Sequence, residues 1–279
     1  MNVKTNHIFD LCVYVISVKS FTERHKSIDL QLRNIGFEYK FIFKNDPDDF
    51  CIEDLNKLET NKLSIGAQSC VLKHINAWED FLLTKKKYAL IIEDDVIFEN
   101  NFLENLESIF NQMASLNSFL IFLGGADNRV DSRFYKSSEL CLIEYPISTT
   151  EAYIVDVDSA KKRISWLQEN KISLPADHLI KQIDSLLKIT QHRTSFPLVS
   201  QGSLYGLFQT EIDSKRLKRN KYLLRLDYNL KKFRRRTLPG LIVKIFNRIK
   251  HHWSHKLINI ALYLEEYLIK AQNVTSVNF

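Results

Sequence analysis

Glu93, Asp94 and Asp95 directly follow five apolar residues, 88–92 (YALII). A short apolar run reads as a buried strand, so the three acids stand where that strand ends. In open α/β sheets, ligands bind at the carboxyl ends of the strands. Side chains alternate along an extended segment, so Glu93 and Asp95 can face the same way. Two hard oxygen donors on one side suit Mg²⁺ or Mn²⁺. A diphosphate could complete the coordination, and the ion would neutralise charge that appears as a bond to it breaks. Acidic pairs after strands are also ordinary solvated turns, so the triplet alone leaves both readings open. The seven glycines of the chain form neither a GxGxxG fingerprint nor a Walker A loop. A bound nucleotide would therefore be held by metal and side chains, which fits sugar transfer from a nucleotide better than phosphoryl or hydride transfer.

Other residues carry weaker signals. Arg24 offers a bidentate fork for a phosphate or a uracil edge. It can equally form a surface ion pair with Glu23 or Asp29. His74 stands four residues after Cys70 on a helical pattern, and a histidine so placed is more often a satisfied core residue than a ligand. Asp177 precedes a short helical pattern and can act as a base or as a helix cap. Cys12, Cys51, Cys70 and Cys141 show no CxxC spacing, and Cys12, in an apolar run, and Cys70, in a helical pattern, read as reduced, packed thiols.

The elements that must hold these residues alternate. Residues 11–18 (LCVYVISV) read as a buried strand, and Ser20 with Glu23 forms a capping box for a helix towards Asn34. Residues 37–43 read as a second strand. Ser64 can cap a long helix through Leu83 whose apolar face includes Leu72, Ile75 and Trp78. After the strand at 88–92 come a helix over about 101–116 and a strand over 119–123. That order predicts a mostly parallel α/β sheet flanked by helices. Strands follow at 140–145 and 152–157, Asp158 caps a helix towards Gln168, and a helix at 177–187 precedes a short strand at 189–192.

Charge divides the chain. Between Lys215 and Lys256 stand 15 Lys or Arg and one acid, Asp227, which makes that stretch +14 and leaves −8 for the rest of a chain whose net charge is +6. Two regions follow: a catalytic domain over 1–212 and a basic, amphipathic helical extension over 213–279. Lys231-Lys232 and Arg234-Arg235-Arg236 precede a segment whose Ile242, Ile245, Phe246, Ile249 and Trp253 share one face. That combination fits an anionic membrane surface. Packing on the chain's own body is the competing reading. Nucleic acid is not expected as a partner, since no supporting motif accompanies the charge. The sequence shows no signal peptide and no apolar stretch long enough to span a bilayer, so a cytoplasmic, peripheral location is expected.

Four ordered blocks over residues 10–210 resemble glycosyltransferase family 25, the group that includes bacterial lipooligosaccharide galactosyltransferases. The blocks are VYVISVKSFTERH, with Arg24 in the matching place; GAQSCVLKHINAWEDFL, with Gly66, Cys70 and His74; YALIIEDDVIF; and the run TTEAYIVDVDSAKK, PADHLI and PLVSQGSLYG, with Tyr153, Ala160, Asp177, Pro197 and Gln201. Ser17 stands where the family usually has Asn, Lys73 where Ser is common and Glu151 where His is frequent. The resemblance implies a GT-A-like (Rossmann-like) fold and an inverting transfer of a hexose, galactose first, from a UDP-sugar to a lipid-linked oligosaccharide of the lipopolysaccharide core. Manganese or magnesium would sit on Glu93 and Asp95. Ser17, Arg24, Glu93, Asp94 and Gln201 would meet the donor, and Asp177, or Glu151 in second place, would be the base. A non-catalytic glycan- or membrane-binding protein on the same fold is the alternative.

Overall fold

The computed structural model describes residues 10–59, 62–125, 140–205 and 207–208. All of them lie in the first of two units into which the chain divides, Met1–Arg219. The expected basic extension, 213–279, lies outside the described residues.

The chain runs β1 (Leu11–Ile16), α1 (Thr22–Ile35), β2 (Lys40–Ile42), α2 (Ile52–Leu55), α3 (Ile65–Leu82) and β3 (Tyr88–Glu93). It continues with β4 (Val96–Phe98), α4 (Phe102–Met113), β5 (Phe119–Phe122), β6 (Leu142–Glu144) and β7 (Ala152–Asp156). The last elements are α5 (Val157–Glu169), α6 (Ala176–Leu187), β8 (Thr190–Thr194) and β9 (Val199–Gln201). Seven strands form one sheet in the order β2-β1-β3-β7-β5-β8-β6. β1, β2, β3, β5 and β8 share one direction, while β7 and β6 oppose it. The result is the mostly parallel, Rossmann-like α/β sheet with flanking helices that the element order predicts.

Both faces of the sheet are covered, which is why its central strands read as unbroken apolar runs. Ala89 and Ile91 of β3 point into a core shared with Trp78 of α3, Ala160 of α5 and Ile180 of α6. Their neighbours Leu90 and Ile92 point the other way, to Leu32 of α1 and Leu106 of α4. Leu90, Ile91 and Ile92 are fully buried. Truncating one of them to Ala costs roughly 2–5 kcal/mol, so β3 is firmly held up to its last residue.

Local chemistry agrees with the sequence at some ends and not at others. Ser64 caps α3, its hydroxyl accepting the Ala67 N–H at 3.3 Å. The Ser20–Glu23 box does not form. The chain turns tightly after Val18, with the Phe21 N–H bonded to its carbonyl at 3.0 Å, so Ser20 lies outside the helix and Phe21 takes the cap position with no side-chain bond. α5 is capped by Asp156 and not by Asp158. Asp156 accepts the Ser159 N–H at 3.1 Å and also those of Ser118 and Phe119, while Asp158 pairs with Lys162. One carboxylate thus closes β7, opens α5 and holds the start of β5.

Two elements give no clear signal in the sequence. β4 and β9 pair antiparallel as a separate ribbon, with Val96 opposite Gln201 and Phe98 opposite Val199. That ribbon carries the chain from the end of β3 to residues more than a hundred positions later. No helix among the described residues is long and apolar enough to cross a membrane.

Candidate active site

β1 lies between β2 and β3; the β1–β2 connection, α1, packs on one face of the sheet and the β2–β3 connection, with α3, packs on the other. A crevice opens at the carboxyl ends of strands at such a switch point. Here it is a cleft of about 440 Å³ lined by Ser17, Arg24, Lys73, the acidic triplet, Gln201 and Ser203, among others. All six residues expected to touch metal or donor (Ser17, Arg24, Glu93, Asp94, Asp95, Gln201) line this one cleft.

The three acids diverge. Glu93 is the last residue of β3, its N–H bonded to the Glu151 carbonyl at 2.9 Å. Its carboxylate accepts the Thr150 hydroxyl at 2.6 Å and lies 3.9 Å from His74 Nε2. Burial works against its ionisation but is outweighed by the His74 imidazole, the Thr150 hydroxyl and the charge of Arg24, so its acidity is strengthened. Asp94 turns the other way. It accepts the Ser17 hydroxyl at 2.5 Å and pairs with Arg24 at 2.8 Å. Burial raises its pKa in spite of that guanidinium. Asp95 is held by the ribbon: its carbonyl accepts the Gly202 N–H at 2.6 Å, and Oδ2 lies 3.4 Å from the Ser203 N–H. A Cβ at Gly202 would sit 2.8 Å from that carbonyl, so only glycine allows this approach.

Asp95 carries the largest resolved shift of the three. Burial first, and the neighbouring Glu93 charge second, push its pKa up to about 7. Its Oδ1 is buried with no hydrogen-bond partner among the described residues. Asp95, buried with an unused oxygen and within reach of the Glu93 charge, offers the kind of oxygen donor that fits a hard divalent cation.

Arg24 does not form the surface pair that its helix offers. Glu23 pairs with Lys26 and Asp29 with Arg33. The Arg24 guanidinium instead lies over the Phe21 ring at 4.6 Å and the Phe208 ring at 5.7 Å, with its charge on Asp94. Ser17 is fixed from behind by His25, whose Nε2 lies 2.8 Å from its hydroxyl and 3.0 Å from the Val18 carbonyl. Lys73, on the cleft wall, is buried against Asp46 and the carbonyls of Ile42 and Phe43, which ties α3 to the end of β2.

The two expected bases stand apart from the cleft lining. Asp177 is in the first turn of α6, where Pro175 takes the cap position and no side-chain cap bond forms. Its side chain is 29% exposed, and its charge helps to raise the pKa of the cleft thiol Cys70 after burial and Glu93. Glu151 is buried, and its Oε1 accepts the Gly125 N–H at 2.6 Å. Its carboxylate fills the space over Gly124, where an added Cβ would meet Oε1 at 1.7 Å. Thr150, Ser203, His25 and Phe208 have no sequence signal of their own as site residues. The first three fall inside the quoted blocks, but nothing in the spacing announces Phe208.

The model of the family described as "Glycosyltransferase family 25 (LPS biosynthesis protein)" matches residues 11–180. A Drosophila melanogaster protein named "Glycosyltransferase 25 family member" is 24% identical over 182 residues, 60% of this chain and 30% of its own length. The chain thus spans under a third of that curated relative. Among solved structures, A197 from STIV shares 12% identity over 68% of this chain and 82% of that one, with a TM-score of 0.39. A glycosyltransferase involved in glycosylation of the major capsid of PBCV-1 shares 11% over 57% and 66%, with a TM-score of 0.31. A putative glucose-1-phosphate thymidylyltransferase from Bacillus anthracis shares 11% over 77% and 95%, with a TM-score of 0.39.

Proposed function

Because the chain belongs to glycosyltransferase family 25, we propose that it is a metal-dependent, inverting glycosyltransferase that moves a hexose, galactose first among them, from a UDP-sugar to a lipid-linked oligosaccharide of the lipopolysaccharide core. The single observation that carries this reading is the buried corner at the end of β3. Asp95 keeps an oxygen without a partner there while Glu93 holds a negative charge beside it.

Glu93 and Asp95 would hold Mn²⁺ or Mg²⁺. Bound there, the ion supplies Lewis-acid stabilisation to a departing diphosphate. The chain's own residues do the rest. The Arg24 fork, near the Phe21 and Phe208 rings and paired with Asp94, lines the cleft and orients an anionic donor. Ser17 and Asp94 form a bonded pair that can shift to a sugar or ribose hydroxyl. Gln201 and the Ser203 N–H close the ribbon side. An acceptor hydroxyl attacking from the opposite face needs a base. Asp177 is proposed for that role: it is partly exposed, free of the cap position and electrically coupled to the cleft wall. Glu151 serves as a support, because its Oε1 is engaged by the Gly125 N–H and its carboxylate packs over Gly124.

The basic extension is proposed to hold the protein on an anionic membrane face, here the inner face of the bacterial inner membrane. The +14 charge of 215–256 supports that reading. The deciding experiment measures UDP release from a panel of UDP-sugars, with a truncated lipooligosaccharide as acceptor and Mn²⁺ present or chelated. Release that needs both acceptor and ion is expected, with UDP-galactose fastest. No release with any sugar overturns the proposal. Asp177→Asn is expected to lower turnover about a hundredfold with donor binding unchanged; normal turnover removes Asp177 from the role.

A further inference from the structure

At Glu93, α3 presents a second donor set. Cys70 and His74 are one helical turn apart and so share a face. Their ligand atoms and a Glu93 carboxylate oxygen all lie within 4.8 Å of one another. His74 is fully buried, and its Nε2, which faces Glu93 at 3.9 Å, has no hydrogen-bond partner among the described residues. Its other ring nitrogen is held. Nδ1 lies 3.0 Å from the Tyr153 hydroxyl, and that oxygen accepts the Trp78 indole N–H at 3.1 Å. A ring fixed through one nitrogen by an oxygen, with the other nitrogen bare and aimed at a thiol and a carboxylate, is the arrangement of a metal-ligating histidine.

We propose that Cys70 Sγ, His74 Nε2 and a Glu93 carboxylate oxygen form a binding site for a divalent ion of the zinc class. The chemistry of the set separates it from the Glu93–Asp95 corner. Two acids select hard ions, whereas thiolate and imidazole select zinc or cobalt. Tetrahedral ligands around zinc lie about 3.5 Å apart, given bond lengths of roughly 2.0–2.3 Å. The His74–Glu93 separation is already close to that, and rotation of the Cys70 side chain covers the rest. Both Cys70 and Glu93 border the cleft, so the ion has an entry path and its fourth position faces the cleft. Three protein ligands with one open position is the pattern of a reactive or exchangeable zinc site, not of a closed structural one. Binding transfers the Cys70 thiol proton to solvent. Glu93 is common to both donor sets, so an ion held here draws that carboxylate away from Asp95.

The test uses the full chain, stripped with chelator, and Co²⁺ as the probe. One equivalent of Co²⁺ is expected to give tetrahedral d–d bands together with a thiolate-to-cobalt charge-transfer band, both bleached by one equivalent of Zn²⁺. Cys70→Ser is expected to remove the charge-transfer band, and His74→Gln to weaken Co²⁺ binding at least tenfold. Cys12→Ser, on strand β1, is expected to leave the spectrum unchanged. A wild-type spectrum without the thiolate band overturns the proposal, whether or not any variant folds. So does a Cys70→Ser protein that keeps the band. The spectrum is read without donor or acceptor, so its outcome is independent of the transfer assay.

Discussion

Two acidic centres in this protein are built from the same residue type and end in opposite states. Asp54, in the short helix α2, is buried yet accepts from Asn45 Nδ2 and pairs with Lys44 and Lys57, each at 2.8 Å. Burial alone would raise its pKa, but those three donors outweigh it and bring it down to about 2. The Asp95 carboxylate, also buried, faces another carboxylate and a single distant backbone N–H, that of Ser203 at 3.4 Å, and its pKa rises to about 7. An acid that serves the fold is surrounded by its own counter-charges. Asp95 is left short of them, and the proposed ion would make up that deficit.

The largest expected effect breaks this contrast from the cleft side. Asp95→Asn should lower transfer by about a hundredfold or more, since it removes a ligand of the proposed ion. The same substitution should stabilise the chelated protein. The folded carboxyl keeps its proton until about pH 7 while the unfolded one loses it near pH 4, so wild-type stability falls as pH rises through that window. At the rate of about 1.4 kcal/mol per pKa unit, Asp95→Asn should gain at most about 4 kcal/mol above pH 7 and nothing near pH 4. Thermal unfolding in chelator across that range checks it. An unchanged melting temperature at pH 8 would mean that Asp95 is not short of charge.

Asp54→Ala should do the reverse. Two lysines lose their shared partner, and stability should fall by on the order of 2 kcal/mol, with the melting temperature down by about 4–8 °C. UDP binding, read by titration calorimetry, should stay as in wild type. The pH profile sharpens the pair. Asp54 has a depressed pKa, so its contribution is present above about pH 4 and is lost as pH falls towards about 2. Wild type and Asp54→Ala should therefore converge in acid, as the Asp95 pair does, but from the other side: Asp54→Ala is the less stable member of its pair, and Asp95→Asn the more stable member of its own.

The smallest expected effect is at Thr150. Thr150→Val removes the hydroxyl that Glu93 accepts at 2.6 Å and should cost about 1–2 kcal/mol of ion affinity, roughly five- to thirtyfold in Kd. Manganese titration measures it. No change would show that Glu93 is oriented by His74 alone.

Much of this protein could be read from its sequence, because local pattern decides much of it. The unbroken run YALII can only be a strand covered on both sides, and acids placed directly after it must emerge at its carboxyl end. Ser64 announces α3 by itself, and the apolar periodicity of α3 marks the face that packs on the sheet. The sequence also placed Ser17, Arg24 and Gln201 with the triplet through ordered motifs. Tertiary structure decided what each acid does. Alternation along the chain stops at the turn after Glu93, so nothing local tells Asp94 to take Arg24 or Asp95 to go short. Those outcomes depend on β9 returning from the far end of the chain to pair with β4, on the Arg24 side chain choosing Asp94 over its helical neighbours, and on Glu151 folding back over Gly124. Charge balance inside a protein is a property of what meets in space, and spacing in the sequence does not encode it.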